Sequence, residues 1–316
     1  MNVLVIIPCH NEELSITATI ESVRKSIKNP TIWVVDNLST DLTGQIAKKL
    51  GAKVLFCPQI GKGYAIRHAF SRVGSEFDIV LMIDGDDTYS TSEFSTASEM
   101  ILEKGFDMVV GHRVTVNSND SSRTPAFRSG HSGGNFLLSK IFRLLFGVEI
   151  ADTLSGWRVM SIGFLKSFTN GASEFEIEAE LNAHAYLLNA AVISLPVQYK
   201  GRHHGSSSKL RTYRDGIKII KKQLLLFRSE RPLIAYSSLG IPWFISSVFL
   251  LGKVLSDYFA TNLVLKFPSL IAAVGCFIIA SLLWVTGMIL EKVRLIRVAH
   301  ARSIYSSFAR FNDTNH

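Results

Sequence analysis

The sequence predicts an α/β chain: a mainly parallel sheet with helices on both faces, followed by a hairpin of two membrane-crossing helices. Two observations carry this prediction. Over the first hundred residues, short apolar runs rich in β-branched residues alternate with stretches that repeat apolar residues at helical spacing. Strands that stay apolar throughout belong to a sheet covered on both faces. After residue 232, "LIAYSSLGIPWFISSVFLLG" (233–252) and "FPSLIAAVGCFIIASLLWVTGMIL" (267–290) carry no charge at all. Each reaches the roughly 20 residues that a helix needs to cross a bilayer core of about 30 Å. The 316 residues, 47% of them hydrophobic, are enough for one sizeable domain plus such an appendage.

The elements follow in order. Val3–Ile7 is a β-branched run closed by Pro8, and its apolar stretch of about five residues, with no basic segment before it, suits a first strand better than a secretory signal. From about Glu12 to Lys28, residues Leu14, Ile16, Ile20, Val23 and Ile27 recur on one side of a helix. Then come a strand at "TIWVVD" (31–36), a helix near 43–50, a strand at "AKVLF" (52–56), a helix near 63–73 and a strand at "FDIVLMID" (77–84). A helix near 91–104 leads to the strand "FDMVVG" (106–111). All of these elements precede Arg231, so the segment beyond it is expected to be dispensable for the fold of the first domain.

In sheets of this kind ligands sit beyond the carboxyl ends of the strands. Polar clusters fall there: "PCHNEE" after the first strand, "DNLSTD" after the second, "GDDTY" after the fourth. Asp84, Asp86 and Asp87 stand within four positions. Like charges this close repel unless a cation sits among them. A solvated turn before a helix is the plain explanation. A hard-cation site is the sharper one, since Mg²⁺ and Mn²⁺ prefer carboxylate oxygen and share it with substrate phosphates. "GKGYAI" (61–66) lacks the third glycine of a dinucleotide fingerprint, and no G-x-x-x-x-G-K-[ST] occurs. Lys62, at the start of a helix, is placed to meet an anion.

Charge gives the topology of the apolar pair. Lys218, Lys221, Lys222, Arg228 and Arg231 precede the first run and Lys292, Arg294, Arg297 and Arg302 follow the second, while the connection holds only Lys253, Asp257 and Lys266. By the positive-inside rule both ends are cytoplasmic. Pro242 frees the Ser238 carbonyl, which a hydroxyl or a neighbouring helix can satisfy. Three scattered cysteines, Cys9, Cys57 and Cys276, suit neither a disulfide framework nor a zinc site. The ten Lys/Arg between Lys200 and Arg231 face only Asp215 and Glu230, a local balance of +8 that equals the net charge of the chain. Near an anionic leaflet each such side chain is worth about 1 kcal/mol. "YRDGIKIIKKQLLLFR" (213–228) and "NFLLSKIFRLLFG" (135–147) mix apolar and basic residues as helices lying in the interface do. Nucleic acid, the other common partner of a basic patch, is excluded by the apolar spans and the sparse aromatics around the patch.

"IIPCHNEE", "VVDNLSTDLT", "GKGYAIRHAF" and "MIDGDDTY", in this order and spacing, resemble family 2 glycosyltransferases of the Rossmann-like GT-A fold. "DMVVGHR" (107–113), "DTLSGWRVMS" (152–161), "EFEIEAEL" (174–181) and "GSSSKLRTYRDG" (205–216) are similar to the branch that moves a sugar onto a polyprenyl phosphate, which includes dolichol-phosphate mannosyltransferases and bactoprenol glucosyltransferases. The resemblance covers roughly residues 2–230. It implies that Pro8, His10, Glu12 and Asp36 hold the nucleotide, with Lys62 near its phosphates. It implies that Asp84 and Asp86 hold a divalent metal and the diphosphate, and that Arg113, Arg128, Ser132, Arg202 and Lys209 hold the acceptor phosphate. Three positions depart from the common pattern: His10 replaces a tyrosine, Asn37 a second aspartate and Thr88 a glutamine.

The expected reaction is metal-dependent transfer, with inversion, of a hexose from a UDP- or GDP-sugar to undecaprenyl or dolichyl phosphate, serving cell-envelope glycans. Such an acceptor is already an anion and needs no strong general base, and none stands out among His68, His112 and His131. Arginine's fork suits phosphate oxygens, which gives Arg113 and Arg128 a physical purpose. One alternative is extension of a lipid-linked glycan at a sugar hydroxyl, which needs a general base; the Q-x-x-R-W motif usual in processive synthases is absent. The other is an inactive membrane scaffold. Expected boundaries are a transferase domain at 1–212, an amphipathic juxtamembrane helix at 213–232, the two spans within 233–290 and a basic cytoplasmic tail at 291–316. The expected location is the inner membrane with the catalytic domain cytoplasmic. The partners are the nucleotide sugar, the polyprenyl phosphate lipid and the membrane, and the sequence decides neither for nor against a homo-oligomer.

Overall fold

The computed structural model describes residues 1–115, 151–168, 177–201, 224–225 and 227–312. Seven strands form one sheet: β1 (Val3–Cys9), β2 (Thr31–Asp36), β3 (Lys53–Phe56), β4 (Ile79–Met82), β5 (Met108–Thr115), β6 (Arg158–Ser161) and β7 (Val192–Tyr199), in the order β3-β2-β1-β4-β6-β5-β7. β1 pairs parallel with β2 and β4, and β2 with β3. The strand order therefore reverses beside β1, which opens a crevice at the carboxyl ends of β1, β2 and β4.

The five expected strands are present, trimmed or extended by a few residues. β6 and β7 were not expected. β6 is only four residues long and runs antiparallel to both β4 and β5. Its first residue, Arg158, is fully buried, an assignment that hydropathy argues against. β7 contains Pro196, but it is the last strand of the sheet, paired with β5 along its length and bridged to Tyr89 at Tyr199, and at such an edge a missing N–H is tolerated.

Alternation along β1 divides the core. Val3, Val5 and Ile7 pack with α1 (Ile16–Ser26), α2 (Thr43–Lys49) and α4 (Phe94–Leu102) on one face. Leu4 and Ile6 pack on the other face with α3 (Lys62–Phe70), α5 (Ile162–Ser167) and α6 (Ile177–Leu188). The helix expected from Glu12 begins at Ile16, after a turn in which Ser15 N donates to the Glu12 carbonyl.

The chain divides into two compact units, Met1–Gln223 with His300–His316 and Leu224–Ala299. The second contains α7 (Pro232–Thr261) and most of α8 (Phe267–Asn312). Both helices are long and apolar enough to cross a membrane. Phe249, Phe259, Ile271 and Leu282 are each more than half exposed. Close approach of the pair is set at Gly240, where an added Cβ would meet Trp284 Nε1 at 2.7 Å. Trp284 Nε1 donates to the carbonyl of Ser237, the neighbour of Ser238, and Ser247 Oγ donates to Ala273 O.

The region after residue 290 corrects the expectation of a separate tail. It is helical to Asn312. Within the first unit, Ala301 is buried in the core cluster, Arg302 Nη2 donates to Leu187 O, and Tyr305 Oη donates to Asp107 Oδ1 at 2.6 Å. The same packing bears on the expectation that everything beyond Arg231 is dispensable for the fold, because Ala301 is part of the core cluster.

Candidate active site

The site begins where β1, β2 and β4 end. Past Cys9 the chain turns at Asn11, which adopts a left-handed conformation with φ 56° that asparagine tolerates better than most residues. His10 Nδ1 donates to the Asn37 carbonyl at 2.7 Å, and Glu12 N to Thr43 Oγ1 at 2.8 Å. Asp36, the last residue of β2, accepts from Ser39 N at 3.0 Å. Asn37 is buried and uses both ends of its carboxamide, donating to Gln59 O and accepting from Gly61 N at 2.6 Å. A carboxylate there could not donate, which accounts for asparagine at this position. Pro8 and Asp36, at the ends of β1 and β2, and His10 and Glu12, in the loop after β1, thus lie on two neighbouring strand ends whose loops are joined by hydrogen bonds.

After β4 the chain turns through the acidic triplet. Asp87 is left-handed, with φ 53°. Asp86 is buried, and its Oδ1 accepts from Thr88 N at 3.2 Å and Thr88 Oγ1 at 2.5 Å. Asp84 stands over a glycine: a Cβ on Gly156 would lie 2.3 Å from Asp84 Oδ2. The thiol of Cys9 shows how these groups converge. Burial pushes it well above its ordinary pKa, and Glu12, Asp36, Asp84 and Asp86 push it further. Four carboxylates from three strand ends therefore lie close enough to Cys9 to act on its thiol.

Lys62, the first residue of α3, answers part of this charge. Its Nζ lies 2.6 Å from Asp84 Oδ1 and 2.6 Å from Glu178 Oε1 on α6. Burial works against its charge, but Asp84 and Glu178 outweigh burial and hold the ammonium above its ordinary pKa. Among the described residues no three His, Cys, Asp or Glu side chains form a ready-made cation cage. A hard cation that brings substrate phosphates as ligands needs only one or two carboxylates. The donor set of Asp84 and Asp86 fits such a cation.

The loop before β6 forms the far wall. Arg113 on β5 grips Asp152 with its fork, Nε to Oδ2 at 2.6 Å and Nη2 to Oδ1 at 2.9 Å, and lies 5.5 Å from the Tyr199 ring centre. The guanidinium expected to meet an acceptor phosphate thus already holds a buried carboxylate. Arg158 staples this loop from beneath: Nε donates to Ser155 O, Nη2 to Thr153 O and Nη1 to Asn182 Oδ1 at 2.6 Å. Burial pushes its guanidinium down to about 10, against the pull of Glu178 and Asp152, so it remains charged at neutral pH. Tyr89 Oη accepts from Gly156 N at 3.1 Å, which fixes the glycine beneath Asp84.

Arg128, Ser132, Arg202 and Lys209 lie outside the described residues, as do the segments 135–147 and 205–216 and most of 213–228. The sequence pointed to no role for Glu178, Asp152, Arg158 or Tyr89. All four stood inside the quoted motifs "EFEIEAEL", "DTLSGWRVMS" and "MIDGDDTY", and an arginine within an apolar run was the available signal for Arg158.

Three comparisons bear on this arrangement. The model of the family described as glycosyl transferase family 2 matches residues 4–166. Protein RfbJ of Shigella flexneri is 42% identical over 130 residues, which is 41% of this chain and 95% of that protein. Glycosyltransferase AglJ of Haloferax volcanii is 29% identical over 75% of this chain and 76% of its own. A dolichyl-phosphate hexose transferase of the same organism is 24% identical over 72% and 94%. Among solved structures, glucosyl-3-phosphoglycerate synthase of Mycobacterium tuberculosis, in complex with Mn²⁺, UDP-glucose and phosphoglyceric acid, superposes with a TM-score of 0.54 at 18% identity, over 72% of this chain and 79% of that one. That likeness shows the GT-A fold.

Proposed function

The chain is a glycosyltransferase belonging to glycosyl transferase family 2, and from that premise we propose that it moves a hexose from a UDP- or GDP-sugar onto a polyprenyl phosphate, with inversion. The observation that carries the proposal is the gathering of Glu12, Asp36, Asp84 and Asp86 at or just past the carboxyl ends of three neighbouring strands, with Lys62 paired to Asp84. Four carboxylates beside one ammonium make a poor anion site by themselves and a good one once a cation joins them. Relatives support the rest of the reading: one is named for a dolichyl-phosphate acceptor, and the structural neighbour binds Mn²⁺ with UDP-glucose. The two apolar helices support delivery of a lipid acceptor at a membrane, which we read as the inner membrane with the catalytic domain cytoplasmic.

In this reading Pro8, His10, Glu12 and Asp36 seat the nucleotide. Asp84 and Asp86 would hold Mg²⁺ or Mn²⁺, which supplies charge neutralisation for the departing diphosphate. Lys62 adds a second positive charge beside the same phosphates. A phosphate oxygen of the lipid attacks the anomeric carbon from the face opposite the leaving group. The new carbon–oxygen bond forms as the bond to the nucleotide breaks, and nucleoside diphosphate leaves. The acceptor oxygen carries no proton that must be removed, so no side chain has to act as base. Arg113, Arg128, Ser132, Arg202 and Lys209 remain the proposed holders of the acceptor phosphate, with Arg113 shared between that phosphate and Asp152.

That sharing favours a second reading, extension of a lipid-linked glycan at a sugar hydroxyl, because a neutral acceptor does not compete for Arg113. Washed membranes supplied with labelled UDP- and GDP-sugars separate the two. A mild-acid-labile lipid product is expected; an elongated lipid-linked glycan supports the second reading, and no turnover with any donor overturns both. Asp86→Asn keeps an oxygen for the Thr88 hydrogen bonds but loses the anionic ligand. Its turnover should fall about a hundredfold, about 2.7 kcal/mol of barrier, with unfolding unchanged. Wild-type turnover at saturating metal would remove Asp86 from the site.

A further inference from the structure

The two carboxylates that share Lys62 are not equivalent. The side chain of Glu178 is 7% exposed and that of Asp84 27%, with both oxygens 2.6 Å from Nζ. A buried carboxylate that loses the cation it is paired with is strongly destabilising, so Glu178, the more buried of the two, holds the ammonium more firmly than Asp84 does. Asp84, at the mouth of the crevice, can exchange it for another cation. The two carboxylates also come from distant parts of the chain, one after β4 and the other from α6, so the lysine bridges the sheet edge and the helix that covers it.

Building on the reading of Asp84 as a cation ligand, we propose that Lys62 is a placeholder: it neutralises Asp84 in the ligand-free chain, yields that carboxylate to a divalent cation, and stays tethered by Glu178 beside the donor's diphosphate. Glu178 is then a positioning residue that acts through Lys62. The arrangement makes the two donor-site ligands cooperative. A divalent cation alone must displace the ammonium from Asp84. When a nucleoside diphosphate arrives with it, the phosphates offer the displaced ammonium a new partner, so each ligand strengthens the other. The carboxylates around Cys9 are meanwhile never left without a cation among them.

The test uses the detergent-solubilised full chain and measures Mn²⁺ binding, through the resonance signal of free Mn²⁺, with and without UDP or GDP. Glu178→Gln leaves Lys62 with Asp84 as its sole partner, so Mn²⁺ alone should bind roughly threefold or more weaker. Lys62→Met/Glu178→Gln removes the placeholder without stranding a buried charge, so Mn²⁺ alone should bind roughly threefold or more tighter. The same double variant should bind the nucleotide about tenfold or more weaker, because a charge-assisted contact is lost. Lys62→Arg keeps the positive charge and should fall on the wild-type side of the double variant. Thermal unfolding of each variant verifies that it is folded. A merely structural role would weaken Mn²⁺ binding in both Glu178→Gln and the double variant, and shifts of the same sign, or none, overturn the placeholder. If the wild-type chain binds Mn²⁺ neither alone nor with UDP or GDP, the donor-site reading itself falls, and the placeholder with it.

Discussion

Asp41 illustrates how a carboxylate in a polar cluster can serve the fold rather than the reaction. Its Oδ1 accepts from Thr43 N at 3.0 Å and Thr43 Oγ1 at 2.5 Å, and its Oδ2 from Glu13 N at 3.1 Å. Partial burial alone would raise its pKa, but these hydrogen bonds, those from Thr43 first, outweigh it and hold the carboxyl below its ordinary value. A group whose folded pKa is depressed stabilises the fold above its unfolded pKa and loses that contribution as pH falls through the folded value. Asp41→Asn should therefore cost about 1 kcal/mol at neutral pH. The gap between variant and wild type should close once the pH drops below the ordinary carboxylate range; a gap that stays constant down to acid pH would show that charge is not what Asp41 contributes. At this scale the sequence was informative about identity and silent about partners. Asp84 and Asp86 announced themselves by crowding and Lys62 by its place at a helix start. Asp152 could not, because its role depends on Arg113 from a strand 39 residues away. Glu178 could not either, since an acid pair on a helix gives no sign that both members are buried or of which cation each will meet.

The most legible strands were those whose two faces are both apolar. β1, β2 and β4 read as unbroken hydrophobic runs because α helices cover them on both sides. β6 was not legible because its short run opens with an arginine whose charge is met by backbone carbonyls and Asn182, a compensation made by distant residues. The end of α8 was missed for a related reason: its few apolar residues mean little until Ile162, Phe164 and Asp107 are brought beneath them. Its role is measurable. Tyr305→Phe removes a hydrogen bond to the buried Asp107 and should cost about 1–2 kcal/mol of stability, the price of leaving an acceptor short of a donor. Deletion from His300 onward should cost clearly more, since it also uncovers the cluster around Ala301. Thermal unfolding of both variants decides the matter, and a deletion as stable as the full chain would show that the segment rests on the domain without supporting it.

Over the whole molecule the distribution of charge matters more than the total. The +8 balance of the 200–231 segment equals the net charge of the full chain, so the rest of the molecule is close to neutral. A basic segment running into an apolar helix should hold the chain against an anionic leaflet, with about 1 kcal/mol from each side chain near the surface and a strong dependence on salt. Activity in vesicles containing acidic lipid should exceed that in zwitterionic vesicles at low salt, and the advantage should shrink at high salt. Equal activity in the two lipids at low salt would mean that the basic segment acts on something other than the membrane surface.

The packing of Ala301 and Tyr305 onto the core of the first unit also sets an order of events during biosynthesis. The sheet is complete in sequence once β7 leaves the ribosome, but its core lacks the residues that follow both apolar helices. At about 5–20 residues per second, the 70 residues from Arg231 to Ala301 take roughly 4–14 s to emerge. During that interval Ile162 and Phe164 still await their cover. The transferase domain therefore reaches its finished form only after the apolar helices have been made, so nascent chains stalled between the two should be sensitive to protease and released chains resistant.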